Sequence, residues 1–177
     1  HKVIDRSHPL VKGVNTRFDI PHSRFNEISE AQFEKAGAKV LASSAVGVHL
    51  AVSQDQFRLV FFQGHPEYDS ISLLKEFKRE VSLYLGGGRS DYPPFPSNYL
   101  SPQNCAILDE YRSRLENNSA TIKEFPEKLV MKTIDNTWHD SASAIINNWI
   151  GSVYQVTNED LKLPFMATIN PLNPLDL

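Results

Sequence analysis

The chain has 177 residues, 41% of them hydrophobic, and a formal net charge of −3, enough length and apolar content to bury one core. Lys and Arg are scattered, with nothing denser than a pair such as Lys78-Arg79, which excludes the basic footprint of a nucleic-acid binder, and no apolar stretch approaches the roughly 18 residues of a membrane span. The single cysteine, Cys105, excludes an internal disulfide framework and suits a reducing, cytoplasmic setting.

The first residues, His1-Lys2-Val3-Ile4-Asp5-Arg6, carry no initiator Met and no signal-peptide pattern. They lead straight into a Ser-His-Pro turn, so the chain reads as a fragment or processed product. Residues 8–25 read as loop, with brief extended pieces around Leu10-Val11 and Phe18-Asp19-Ile20 broken by Pro9, Gly13 and Pro21. Ser29, with Gln32 three residues on, fits a capping box that opens a short helix ended by Gly37. Three strand candidates follow at 39–42, 47–52 and 57–63. Their links are too short for parallel crossovers, so the block reads as an antiparallel meander whose last, very apolar member is a buried strand.

A helix is expected from residue 69 or 70 through an apolar stripe of Leu73, Leu74, Phe77, Val81 and Leu85, stopped by Gly86-Gly87-Gly88. Because those glycines follow a helix instead of opening one, they read as a stop and not as a phosphate cradle. Ser101-Pro102 opens the next helix, with Ile107, Leu108, Tyr111 and Leu115 on one stripe. Residues 116–136 are charged and irregular, with a short helix around 128–133. A last helix spans about 141–156 through Ile145, Ile146, Trp149, Ile150 and Val153, before a Pro/Asn-rich tail. The whole, 1–177, reads as a single domain.

Gly64-His65-Pro66-Glu67-Tyr68-Asp69 closes the third strand candidate. It places an imidazole and a carboxylate two residues apart in a loop between strand and helix, where ligands of open α/β sheets bind. Pro66 restricts its own backbone and that of His65, so the two side chains are held. In one reading His65 shuttles a proton near neutral pH while Glu67 selects its tautomer and stabilises the imidazolium. In the other, a strand-end His stands beside a surface Glu.

Pro21-His22-Ser23-Arg24 joins a hydroxyl, an imidazole and a guanidinium in one turn. Arg24 suits a carboxylate and Ser23 a substrate amine or hydroxyl, unless Ser23 merely caps the turn. No G-x-S-x-G elbow supports a serine hydrolase. The histidines at 1, 8, 22, 49, 65 and 139 show no metal-ligand spacing, and His49, within an alternating strand, reads as a satisfied or surface residue. Cys105 reads as a small packed residue in a helix, although a helix first turn would favour a thiolate.

Six segments occur in order along the chain: His8-Pro9-Leu10-Val11-Lys12-Gly13; Pro21-His22-Ser23-Arg24-Phe25; Gly64 to Asp69 followed by Glu76-Phe77 and Arg79; Pro96-Ser97-Asn98-Tyr99; Trp138 with Asn148-Trp149; and Val153-Tyr154-Gln155-Val156-Thr157 with Asp160-Leu161. Together they resemble the homoserine O-acyltransferase family, the homoserine O-succinyltransferases and O-acetyltransferases of methionine biosynthesis. The resemblance covers nearly all of this chain but only the carboxyl-terminal part of the family, and beside the family's usual connection residues 116–136 are longer and read as an insertion.

That resemblance implies a class I glutamine-amidotransferase-like, flavodoxin-like α/β sheet lacking its early parallel strands, and a Cys-His-Glu triad. His65 would be the general base and Glu67 its orienter. Ser23 and Arg79 would contact homoserine, with Arg79 on its carboxylate. An upstream cysteine outside these residues would take the acyl group from succinyl-CoA or acetyl-CoA and pass it to the homoserine hydroxyl. Acyl-CoA is then a substrate, with no cofactor implied. The expected partners are L-homoserine, acyl-CoA, the missing amino-terminal portion or a separate chain carrying it, and a second copy in a homodimer. Two alternatives stand beside this one: a noncatalytic binding module or pseudoenzyme of the same fold, and a glutamine amidotransferase, whose triad also carries H-P-E.

Overall fold

The computed structural model describes residues 1–158, 160 and 162–177; Leu161, part of the last resembling segment, lies outside them. The architecture is α/β, with helices and a four-stranded antiparallel sheet. The chain divides into two units, His1–Glu67 with Thr137–Leu177, and Tyr68–Asn136.

In the first unit the sheet runs in sequence order: β1 (Lys2–Val3), β2 (Lys39–Ser44), β3 (Gly47–Val52) and β4 (Val60–Phe62), with every neighbour antiparallel. β2 and β3 form the expected hairpin, closed at the Ser44↔Gly47 pair. Gly47 has φ +113°, a backbone that a side chain would strain. The third strand is shorter than its apolar run suggests. Asp55 Oδ1 accepts the N–H groups of Phe57 and Arg58 at 3.1 Å each, and Gln56 takes φ +61°. This side-chain turn absorbs residues 57–59, so pairing begins only at Val60. Among the described residues β4 has a neighbour on one side alone, and Phe61 is 37% exposed, so the strand expected to be buried stands here at the edge of the sheet.

Helix α1 (Glu30–Lys35) starts at the predicted capping box. Ser29 Oγ accepts from Gln32 N–H, and Gln32 Oε1 accepts from Ser29 N–H at 2.8 Å. Its one buried residue, Phe33, packs with Val40, Val48 and Ala51 of the hairpin. Leu10 and Val11, read as extended, instead form a 3₁₀ turn over Pro9–Val11 and are buried. That turn packs against the last helix, α5 (His139–Val156), where Asn148 Nδ2 donates to the carbonyls of Leu10 at 3.0 Å and Lys12 at 2.7 Å. Of the expected α5 stripe only Ile145 is buried, and Ile150 is 58% exposed. Ser141, Ala142 and Ser152 take the buried face with Ile145 and Val156, since small side chains allow close approach of the helix backbone.

The second unit is helical. Helix α2 (Ser72–Leu85) begins two or three residues later than its pattern suggests, because Asp69 Oδ1 accepts from Ile71 N–H at 3.1 Å and Ser72 Oγ at 2.7 Å and holds a turn there. Helix α3 (Pro102–Glu116) starts as expected, with Ser101 Oγ accepting from Asn104 N–H at 3.1 Å. Leu74, Phe77 and Val81 meet Leu108, Tyr111 and Leu115 in one core, completed by Phe125 and Val130. The latter two come from the irregular stretch, Val130 closing the short helix α4 (Glu127–Val130). Among the described residues no helix is long and apolar enough to cross a membrane.

Candidate active site

Just beyond β4, Gln63 fastens two segments to the sheet. Its N–H donates to His49 O at 2.9 Å, its Nε2 donates to Ile28 O at 2.9 Å and Val48 O at 3.0 Å, and its Oε1 accepts from Ile28 N–H at 2.7 Å. Gly64 follows in a space with no room for a side chain. A Cβ there would stand 2.2 Å from Ile20 Cγ2, 2.9 Å from His49 Nδ1 and 3.1 Å from His22 Nε2. Glycine is therefore required at position 64 by sterics, and its absent Cβ lets the 20–23 segment lie against the strand end.

The closeness of those segments places the imidazole. His65 N–H donates to Pro21 O at 2.8 Å, and His65 Nε2 lies 3.3 Å from Ser23 O. On the opposite side of the ring, Nδ1 is 2.7 Å from Glu67 Oε1. A carboxylate accepts, so Nδ1 carries a proton, and Nε2 becomes the nitrogen that exchanges one. When Nε2 is protonated, the Ser23 carbonyl accepts from it. The ring is 31% exposed and the Glu67 side chain 66%, so the pair is open to a reactant and screened by water.

Arg24 is deeply engaged. Its Nη1 donates to His22 Nδ1, its Nη2 donates to Val46 O at 2.8 Å, and Glu27 Oε2 lies 3.7 Å away. His22 Nε2 in turn meets His1 Nε2 at 2.8 Å. Burial, reinforced by the Arg24 charge, pushes His22 down to about 4, so the ring is neutral and its Nδ1 lone pair faces the guanidinium. The Ser23 side chain is exposed. Arg79 belongs to the second unit, on α2, where it is 63% exposed and its Nε donates to Glu80 Oε1 at 3.3 Å. Tyr68 and Glu76, also in that unit, share a 2.7 Å hydrogen bond. Cys105 lies on α3 there as well.

His49 differs from its expectation. It is fully buried, and among the described residues neither ring nitrogen has a hydrogen-bond partner; burial holds it down to about 3, with His22 adding to the shift, and keeps it neutral. Its ring lies among those of His1, His22, Phe18 and Phe62, with centroids 5.4 to 6.2 Å away. Among the described residues no three His, Cys, Asp or Glu side chains are disposed to hold a metal ion. Gln63, Gly47 and His49 are the participants that sequence patterns missed. Of these three only Gly47 carried a signal, as a glycine in the short link between two strand candidates.

The family model for homoserine O-succinyltransferase matches residues 1–159. The homoserine O-succinyltransferase of Nitrosococcus oceani is 60% identical over all of this chain and 51% of its own length. That of Thioalkalivibrio nitratireducens is 59% identical over 99% of this chain and 51% of its own, and that of Methylobacter tundripaludum 55% identical over 100% and 51%. The chain thus spans about half the length of the curated relatives it matches.

Proposed function

The chain belongs to the homoserine O-succinyltransferase family, and from that membership we propose that a protein of the relatives' full length carrying these residues transfers a succinyl group from succinyl-CoA to the hydroxyl of L-homoserine in methionine biosynthesis. The observation that carries this reading is the 2.7 Å pairing of His65 Nδ1 with Glu67 Oε1 at the end of β4. The names of the relatives favour succinyl over acetyl as the group transferred.

In this reading the domain is a class I glutamine-amidotransferase-like sheet, to which the antiparallel meander contributes one side. A cysteine thiol from outside these residues attacks the thioester carbonyl, and its proton passes to His65 Nε2. The imidazolium so formed is stabilised by the Glu67 carboxylate and gives its proton to the departing CoA thiolate. Neutral again, His65 takes the proton of the homoserine hydroxyl as its oxygen attacks the acyl-cysteine, and then gives that proton to the departing cysteine thiolate, so that the thiol and the neutral imidazole are both restored. Glu67 does no proton chemistry of its own; it holds Nδ1–H so that the reactive lone pair stays on Nε2. Ser23 and Arg79 bind homoserine, Arg79 by pairing with its carboxylate. An exposed arginine that pairs with its neighbour Glu80 at 3.3 Å gives up little to make that bond.

The test is homoserine-dependent CoA release from succinyl-CoA by the full-length protein. His65→Ala is expected to lower kcat by at least about 10²-fold, the range of a lost acid-base group, and Cys105→Ser to leave it unchanged. Homoserine acylation that survives His65→Ala, or that disappears in Cys105→Ser, would defeat this assignment.

A further inference from the structure

Arg24 looks from sequence like a substrate clamp, but its guanidinium is already engaged by neighbours within its own unit. One amino group meets His22 Nδ1, the other donates to Val46 O at 2.8 Å, and Glu27 Oε2 stands 3.7 Å away. The hairpin is shaped to receive this group. At Gly47, φ is +113°, and a Cβ would stand 2.9 Å from Arg24 Nη2 and 2.1 Å from Glu27 Oε1. Arg24 therefore ties the 21–24 turn to the β2–β3 hairpin at a place that has been kept clear for it.

The same turn is what faces His65. Pro21 O accepts from His65 N–H at 2.8 Å and Ser23 O lies 3.3 Å from His65 Nε2. Residue 22 is held by Arg24 through its ring and by the gap at Gly64, where His22 Nε2 would touch any added Cβ at 3.1 Å. The carbonyl of Ser23 thus sits between two anchored side chains, and the turn has little freedom to drift from the imidazole.

We infer that Arg24, acting through His22, is a positioning residue that fixes the Ser23 carbonyl against Nε2 of His65, and that it does not grip the substrate carboxylate. The inference rests on the reading of His65 as the base. The Ser23 carbonyl accepts the Nε2 proton of the imidazolium, so the ring keeps one orientation while it holds the proton. Loss of that orientation slows every step that uses His65, acyl-enzyme formation included. A substrate clamp would act only where homoserine is bound.

The two roles separate in the burst of CoA release that succinyl-CoA gives without homoserine, measured on the full-length protein. Lysine keeps the charge at position 24 but cannot span His22 Nδ1 and Val46 O with one planar fork. Arg24→Lys is expected to slow the homoserine-independent burst about tenfold or more at unchanged burst amplitude, with any rise in homoserine KM coming on top of that loss because the same turn carries Ser23. A normal burst rate with a homoserine KM raised tenfold would overturn the inference and make Arg24 a ligand. If Arg24→Lys does not fold, the comparison moves to His22. His22→Asn retains an acceptor near the place of Nδ1 and should slow the burst less than His22→Leu, and equal rates in the two would overturn the inference. His65→Gln is the control. A burst that survives it removes the base assignment and this inference together, whereas a burst abolished in His65→Gln but normal in Arg24→Lys removes only the positioning role.

Discussion

The backbone of Gly64 passes so close to the ring of His49 that a Cβ at position 64 would stand 2.9 Å from Nδ1. This contact joins the edge of the candidate active site to the buried interior of the sheet. It makes position 64 sensitive to a single methyl group.

Gly64→Ala should therefore destabilise the first unit by about 1–3 kcal/mol, the usual cost of forcing a methyl into a filled space. The nearest obstacles, Ile20 Cγ2 at 2.2 Å and the His49 ring, are not flexible side-chain ends. Denaturant unfolding of the variant beside the parent checks this, and a midpoint that does not move would mean that the 20–23 segment yields freely.

His49 sets an acid limit on stability. Burial lowers it to about 3 in the folded state, against about 6.5 when unfolded. Between those values the unfolded chain binds a proton that the folded one refuses, so stability falls as pH drops below about 6.5, by up to about 1.4 kcal/mol per pH unit for this one group. His22, pushed down to about 4, acts in the same direction. Thermal unfolding at a series of pH values should show a shallower acid limb in His49→Leu than in the parent, and parallel limbs would contradict it.

Asn148 donates to two carbonyls at once, those of Leu10 and Lys12. Asn148→Asp turns a carboxylate oxygen toward both acceptors and should cost about 1–3 kcal/mol, while Asn148→Ala leaves the carbonyls unpaired at a similar or smaller cost. Because the bonds lie between α5 and the Pro9–Val11 turn, amide exchange in residues 10–14 should quicken in Asn148→Asp before that of β3 does.

Leu108 is fully buried at the centre of the helical unit, among Leu74, Phe77 and Val81. Leu108→Ala should lower stability by about 2–5 kcal/mol. A loss below 1 kcal/mol by denaturant unfolding would mean that the core around α3 closes over the cavity.

Much of this protein was legible one short window at a time. Ser29 with Gln32, Ser101 with Pro102, the Phe77–Val81 stripe and the short links that forced an antiparallel meander are all relations between residues a few positions apart. So is the His65–Glu67 pair. Local backbone geometry and hydrophobic period determine such features, and both are written in consecutive residues. Where a side chain competed with the backbone, the pattern misled: Asp55 kept residues 57–59 out of the expected strand and Asp69 delayed α2.

Tertiary structure alone decided what surrounds the pair. That Ser23 presents its carbonyl to His65, that Arg24 reaches Val46, that Gln63 binds Ile28 and that His49 lies buried under Gly64 are contacts between residues 15 to 42 positions apart. Such contacts depend on which segments the folded chain stacks and how closely, and no periodicity within one segment encodes them. The sequence by itself thus placed an imidazole beside a carboxylate after a strand; packing supplied the carbonyl facing that imidazole and the arginine that holds the carbonyl's turn in place.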